Sequence, residues 1–233
     1  MGVFTAQPYQ ISTRFSTALA ARALLGSYPL ETAKSLCGQG FLSSMLDCRE
    51  RERRHMSSEQ INDLKKWVGE LVRQSTDGQF VGLNRVVDMI SKNFAVQVHE
   101  VAILVITADD RFLRFVVPEK LREMGQIPLT STNSLAARTV REKRSEVINH
   151  FAVVPHSSVF EAVPIVEEQR GEAIQKIMSA PIVQERKVSG VIQISRKGRT
   201  AADAGADFTH PQLRELKTVA DVLGACIPLL ARA

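Results

Sequence analysis

Two histidines, His150 and His156, lie in the least regular stretch of the chain, residues 150–171. An imidazole there could hydrogen-bond a bound molecule or ligate a haem iron, although a histidine in a polar loop is commonly just solvated. Upstream, Ser131, Thr132 and Asn133, followed by Ser134, precede a run with helical periodicity. Small polar side chains at a helix start either cap backbone N–H groups or, together with the helix dipole, receive an anion. Arg114 and Arg138 carry guanidinium groups suited to a carboxylate or phosphate, against the commoner role of an arginine in water. Phe151 and Phe160 could wall a pocket or pin the irregular stretch to the core.

Covalent chemistry finds less support. The three cysteines, Cys37, Cys48 and Cys226, form no Cys-x-x-Cys pair and have no histidine at ligand spacing, so neither a zinc site nor a disulfide framework follows. Cys226 sits in an apolar helical pattern, where a thiol acts as a small buried hydrophobe. No nucleophile elbow and no glycine-rich phosphate loop is present. The chain therefore reads as a binding protein without a catalytic residue or metal ligand set, and its residues name no cofactor.

The elements that would position these residues centre on 172–197. There Met178, Ala180 and Ile182, then Ile192 and Ile194, alternate on either side of the charged turn Gln184-Glu185-Arg186-Lys187. This predicts an antiparallel hairpin with one buried face, and Pro181 needs a place where no ladder donor is wanted. Ser57 with Gln60 suggests a capping box, after which Ile61, Leu64, Val68 and Leu71 form a narrow helical seam. Leu83, Val86, Val87, Ile90 and Phe94 make the broader stripe of a helix laid on a sheet. Residues 98–106 and 111–117 read as adjacent strands, 118–124 as a short helical turn, 135–143 as a helix burying Ala136 and Val140, and 146–149 as a short strand. Thr209, Pro211 and Gln212 open a last helix whose Leu213, Leu216, Ala220, Leu223, Ile227 and Leu230 keep a seven-residue repeat, weakened at its end by Gly224 and Pro228.

Of the 233 residues, 44% are hydrophobic and 24% charged, ordinary for a globular domain with an extension. Thirty basic against 25 acidic residues give +5 without a dense basic block, so nucleic acid is not indicated as a partner. No run of about 18 apolar residues occurs, which speaks against a membrane span. Residues 1–30 lack acids and only weakly imitate a transit peptide, so a cytoplasmic protein is expected. Residues 1–56 read as an extension, partly disordered or with short helices, and 57–231 as the folded domain.

The phrase Ser179-Ala180-Pro181-Ile182-Val183, a short turn, then Gly190-Val191-Ile192-Gln193-Ile194-Ser195-Arg196-Lys197 and a final helix resembles the GAF domain family. Ile127-Pro128-Leu129, Ser134-Leu135-Ala136 and Glu146-Val147-Ile148-Asn149 are similar to that family's approach to its middle strand. The resemblance implies an α+β fold of GAF/PAS type: an antiparallel five- or six-stranded sheet, N- and C-terminal helices on one face and a small-molecule pocket on the other. The Asn-Lys-Phe-Asp-Glu signature of cyclic-nucleotide-binding members is replaced by Arg196, Lys197 and Phe208 with His210-Pro211-Gln212 where the acidic pair belongs. Bilin-binding members and free methionine sulfoxide reductases need pocket cysteines, and none of the three cysteines maps there.

The expected function is a stand-alone sensory or regulatory module that binds an unidentified small molecule in a site built from the arginine, hydroxyl, histidine and phenylalanine candidates above. It would signal through a homodimer or a separate signalling protein. A ligand-free scaffold for dimerisation is the alternative, and a free methionine sulfoxide reductase a more distant one. The two narrow seams predict that helices from both ends of the domain meet in a dimer, against the simpler account in which they pack on each other within one chain.

Overall fold

The computed structural model describes residues 56–74, 83–156 and 172–230, all within the compact unit Arg54–Ala233. The expected extension up to residue 55, Cys37, Cys48, Phe160 and most of the irregular stretch lie outside the described residues.

Helix α1, Ser58–Gln74, opens with the expected reciprocal cap: Ser57 Oγ accepts from the Gln60 N–H at 3.1 Å and Gln60 Oε1 from the Ser57 N–H at 2.8 Å. Helix α2 spans Leu83–Phe94. Strands β1, Val101–Ile106, and β2, Phe112–Val117, are antiparallel neighbours. A 3-10 turn at Glu119–Leu121 leads to β3, Gln126–Pro128. Helix α3, Leu135–Glu142, is capped by Ser134, whose Oγ accepts from the Ala137 N–H at 3.2 Å. Then come β4, Glu146–Ile148, the hairpin β5, Ala173–Gln184, with β6, Lys187–Gly198, and helices α4, His210–Leu223, and α5, Ile227–Leu230. The Thr209 cap with Gln212 is present as expected.

All six strands pair antiparallel in the order β3-β2-β1-β6-β5-β4. The fold is α+β, with α1, α2, α4 and α5 on one face: Val101, Ile103, Met178, Ala180, Ile182 and Ile192 join the helical residues in a single apolar cluster. Period-two alternation places Met178, Ala180, Ile182 and Ile192 on a shared side, and the sheet keeps it. Pro181 lies past the end of β4, whose pairing with β5 stops at Ser179, so one flank of β5 needs no donor there.

Three expectations are corrected. The hairpin is covered on both faces, since α3 packs over the side opposite the terminal helices and leaves Ile177, Ser179, Val191 and Ser195 buried. Gln126–Pro128, read only as a lead-in, is an edge strand, short because Pro128 limits its pairing. Most of the two narrow seams packs within one chain: Leu64, Val68 and Leu71 lie in the same cluster as Leu216, Ala220, Leu223, Ile227 and Leu230, none more than 2% exposed, while Ile61 and Leu213 are half-buried at its edge. A narrow stripe suffices because α1 faces α2 and α4 rather than the open sheet.

The hairpin turn holds Glu185 at φ 48° and Arg186 at φ 69°, both left-handed. Two-residue hairpin loops favour Asn-Gly in this conformation because side chains with a Cβ resist it. The double substitution Glu185→Asn with Arg186→Gly should stabilise the domain by about 1 kcal/mol, seen as a higher urea midpoint with unchanged slope. A lower midpoint would contradict this account of the turn.

Candidate functional site

On the sheet face away from the terminal helices lies a cavity of about 350 Å³, within the size range of small-molecule pockets. Its floor alternates with the helix-facing residues: Ala102 of β1, Phe115 of β2, Ile177 of β5, and Gln193, Ser195 and Lys197 of β6. The walls come from the 118–128 segment, including Leu121 and Ile127, from Ser131 and Asn133 to Ala136, and from Phe151 with His156.

The polar groups on this floor are tightly assigned. Glu100 closes one end, its Oε1 accepting from the Lys197 N–H at 2.6 Å and its Oε2 from the Gln97 N–H at 2.8 Å. Ser195 gives its hydroxyl proton to the Glu100 carbonyl at 3.1 Å, so its oxygen can only accept from a ligand. Beside them, burial pulls the His99 imidazole below its usual pKa, Glu100 and Glu172 oppose that, and Lys197 reinforces it, so the neutral imidazole is favoured.

A chain of hydrogen bonds runs from the floor into α3. Thr139 Oγ1 donates to the Leu135 carbonyl at 2.9 Å, Thr139 and Ser179 hydroxyls meet at 2.7 Å, and Gln193 Nε2 donates to Ser179 Oγ at 3.2 Å. Each hydroxyl has one proton, so the Thr139 proton lies on the carbonyl, Ser179 donates to Thr139, and Gln193 must present its nitrogen to Ser179. The direction of all three bonds follows from the carbonyl at the end.

The candidates named from sequence divide. Ser131, Asn133, Phe151 and His156 line the cavity and Thr132 does not. Phe151 is buried and its ring lies 4.2 Å from that of His156, whose Nδ1 donates to the Val154 carbonyl at 2.6 Å. His150 is exposed and away from the lining, because the chain turns into a 3-10 segment, Phe151–Val153, between the two histidines. They therefore do not converge on one ligand. Arg114 lies on the helix face, its guanidinium 3.4 Å from the Leu230 carbonyl at the end of α5, a favourable place for a cation. Arg138 is tied to Glu146 at 2.9 Å and is also outside the lining. The strand period explains Arg114, since only Leu113 and Phe115 of β2 share the pocket side.

Sequence reasoning missed His99, Gln193, Ser195 and Lys197. The signal was the alternation itself: Gln193, Ser195 and Lys197 are the polar positions between Ile192, Ile194 and Arg196, and so fall on the face that the family resemblance assigns to the pocket.

The sequence profile of the GAF domain family matches residues 76–227, well over half of the chain. The chain belongs to the GAF domain family. That family is one of ligand-binding and regulatory modules. Among solved structures, this GAF domain is similar to the GAF domain of an Acinetobacter phosphoenolpyruvate-protein phosphotransferase, at 17% identity and a TM-score of 0.49 over 76% of this chain and 96% of that one. It is also similar to residues 122 to 287 of a methyl-accepting chemotaxis protein, at 16% identity and 0.48 over 70% and 96%. A free methionine-R-sulfoxide reductase from Neisseria meningitidis aligns at 12% identity and 0.48 over 76% and 96%. No curated protein matches the chain in sequence. Among the described residues no helix is long and apolar enough to cross a membrane, and no group of three or more metal-ligating side chains of the His, Cys, Asp and Glu types forms.

Cys226 lies across the sheet from the cavity, fully buried, with its thiol pushed up to about 12 by burial. A folded pKa raised above the unfolded one means that the thiol's stabilising preference is complete below about pH 9 and is lost as pH climbs toward 12. Stability should therefore fall by about 1.4 kcal/mol per pH unit in that window beyond any fall seen in Cys226→Ala. Urea titrations of both proteins above pH 9 measure the difference. Parallel slopes would show that the thiol is already solvated in the folded state.

Proposed function

We propose that this GAF domain is a sensory or regulatory module that binds a small molecule in the cavity above β1, β5 and β6, carries no catalytic step, and passes occupancy to a second copy of the chain or to a separate signalling protein. The observation that supports the reading is the cavity itself, which stays open with an apolar wall and a few assigned polar groups on a rigid floor. Among the described residues its lining includes no thiol, and Cys226, the one cysteine among them, faces the other side. The buried seam residues Leu64, Val68, Leu71, Leu216, Ala220, Leu223 and Leu230 pack within one chain, which favours a second copy meeting other surface.

Native mass spectrometry of protein purified from its own host, with an absorbance spectrum, tests the reading. A stoichiometric small molecule is expected, and Ala102→Trp, which fills the cavity from β1, should abolish it while the fold survives. Empty protein from the native host would favour the scaffold reading. Catalysis is tested separately: methionine sulfoxide reduction that is present in the parent and lost when Cys37, Cys48 and Cys226 are replaced by serine would overturn the non-enzymatic assignment.

A further inference from the structure

We propose that the cavity selects a neutral molecule bearing an amide or urea edge, and that Gln193 is the residue that sets this preference. The inference rests on the cavity being a ligand site and goes on to name the ligand's chemistry. Its basis is the one-way chain of hydrogen bonds from Gln193 through Ser179 and Thr139 to the Leu135 carbonyl. A surface glutamine can turn its amide to offer either end, and so reads nothing. Here a turned amide would place Oε1 against Ser179, whose proton is already committed to Thr139, and two acceptors would face each other.

The nitrogen is thus held in the floor, and Oε1 is the end left for the cavity. Among the described residues no hydrogen bond engages it. Ser195, two residues along the same face, has also given its proton away and presents only lone pairs. The centre of the floor therefore asks for N–H donors. An acceptor-only group placed there, such as a carboxylate, would lose its water without gaining a partner. Planar N–H donors beside a carbonyl satisfy both oxygens and fit the apolar surroundings of Ala102, Phe115 and Ile177.

The rival is an anion held at Lys197, four residues further along β6, its backbone about 13 Å away by strand rise. Benzamide and benzoate separate the two, because they share shape and differ in whether an NH2 or a second oxygen is offered. Each is titrated into the 15N-labelled full chain and followed at the resonances of Ala102, Ile177 and Gln193. Benzamide should bind about tenfold more tightly than benzoate. Gln193→Met, which keeps the length and removes the acceptor, should erase that preference. Ser179→Ala releases the amide to turn and should raise benzoate relative to benzamide, a change of ratio that a merely structural serine would not cause. Equal affinities, a preference for benzoate, or an unchanged ratio in both variants would overturn the proposal while leaving a ligand site. If neither probe moves the cavity resonances although a host molecule is found in the purified protein, the amide assignment fails and the sensor reading stands. If no host molecule is found either, both fail.

Discussion

Leu216→Glu will leave no cooperatively folded domain. Leu216 is fully buried in the cluster that joins α1, α2, α4 and the inner face of the sheet, and its neighbour Glu215 is already a buried acid that accepts the Met56 N–H at 3.0 Å. A second carboxylate with no partner would cost several kcal/mol, comparable with the whole stability of about 5–15 kcal/mol expected of a single domain. Loss of the far-UV helical signal and of a sharp thermal transition is the expected readout. The milder Leu216→Ala should remain folded and lose about 2–5 kcal/mol. Sedimentation gives the contrary outcome its meaning: a folded, cooperatively melting Leu216→Glu monomer derived from a dimeric parent would place this leucine at a subunit interface instead of in the core.

Gly190→Ala is expected to cost about 3 kcal/mol or more, large for a single methyl group. A Cβ at Gly190 would lie 2.5 Å from the Leu104 backbone oxygen and 3.3 Å from Ile227 Cδ1. The oxygen belongs to β1, which β6 joins through paired residues from Val101 to Val105, while β5 holds the other flank at Ile182. Neither strand can step back without breaking its ladder, so the strain cannot be relieved by a rotamer change. Gly69→Ala is the contrast: in α1 the new Cβ would meet only the flexible end of Arg73 at 3.6 Å, and helix propensity predicts a gain of about 1 kcal/mol. Chemical denaturation of the pair should move the midpoints in opposite directions. A Gly190→Ala protein as stable as the parent would show that the β1 and β6 backbones are not this close.

The legibility of the chain follows the range of the interactions. Both capping boxes, at Ser57 with Gln60 and at Thr209 with Gln212, are made by residues three apart, and a local bond is visible in a local string. The alternation of Met178, Ala180 and Ile182 with Ile192 and Ile194 is likewise a property of neighbouring residues, so the hairpin and its helix-facing side could be read directly. The order of such elements was enough for the family.

The site was not legible in the same way. Of the candidates chosen by residue type, Ser131, Asn133, Phe151 and His156 reach the cavity, while Arg114 and Arg138 are drawn to the Leu230 carbonyl and to Glu146. Residue type says what a side chain can do, but the parity of its strand position relative to the core says which face it serves. The sequence by itself determined the helices, the hairpin, the caps and the side of the sheet that those helices cover, because each depends on spacing along one segment. The family resemblance placed a pocket on the opposite side, but only the tertiary structure decided which residues line it and that Gln193 faces it with a fixed amide. That decision depends on Thr139, Ser179 and Gln193 coming from α3, β5 and β6, whose two hydroxyl protons and one amide orientation can be assigned only once the fold has brought them within bonding distance.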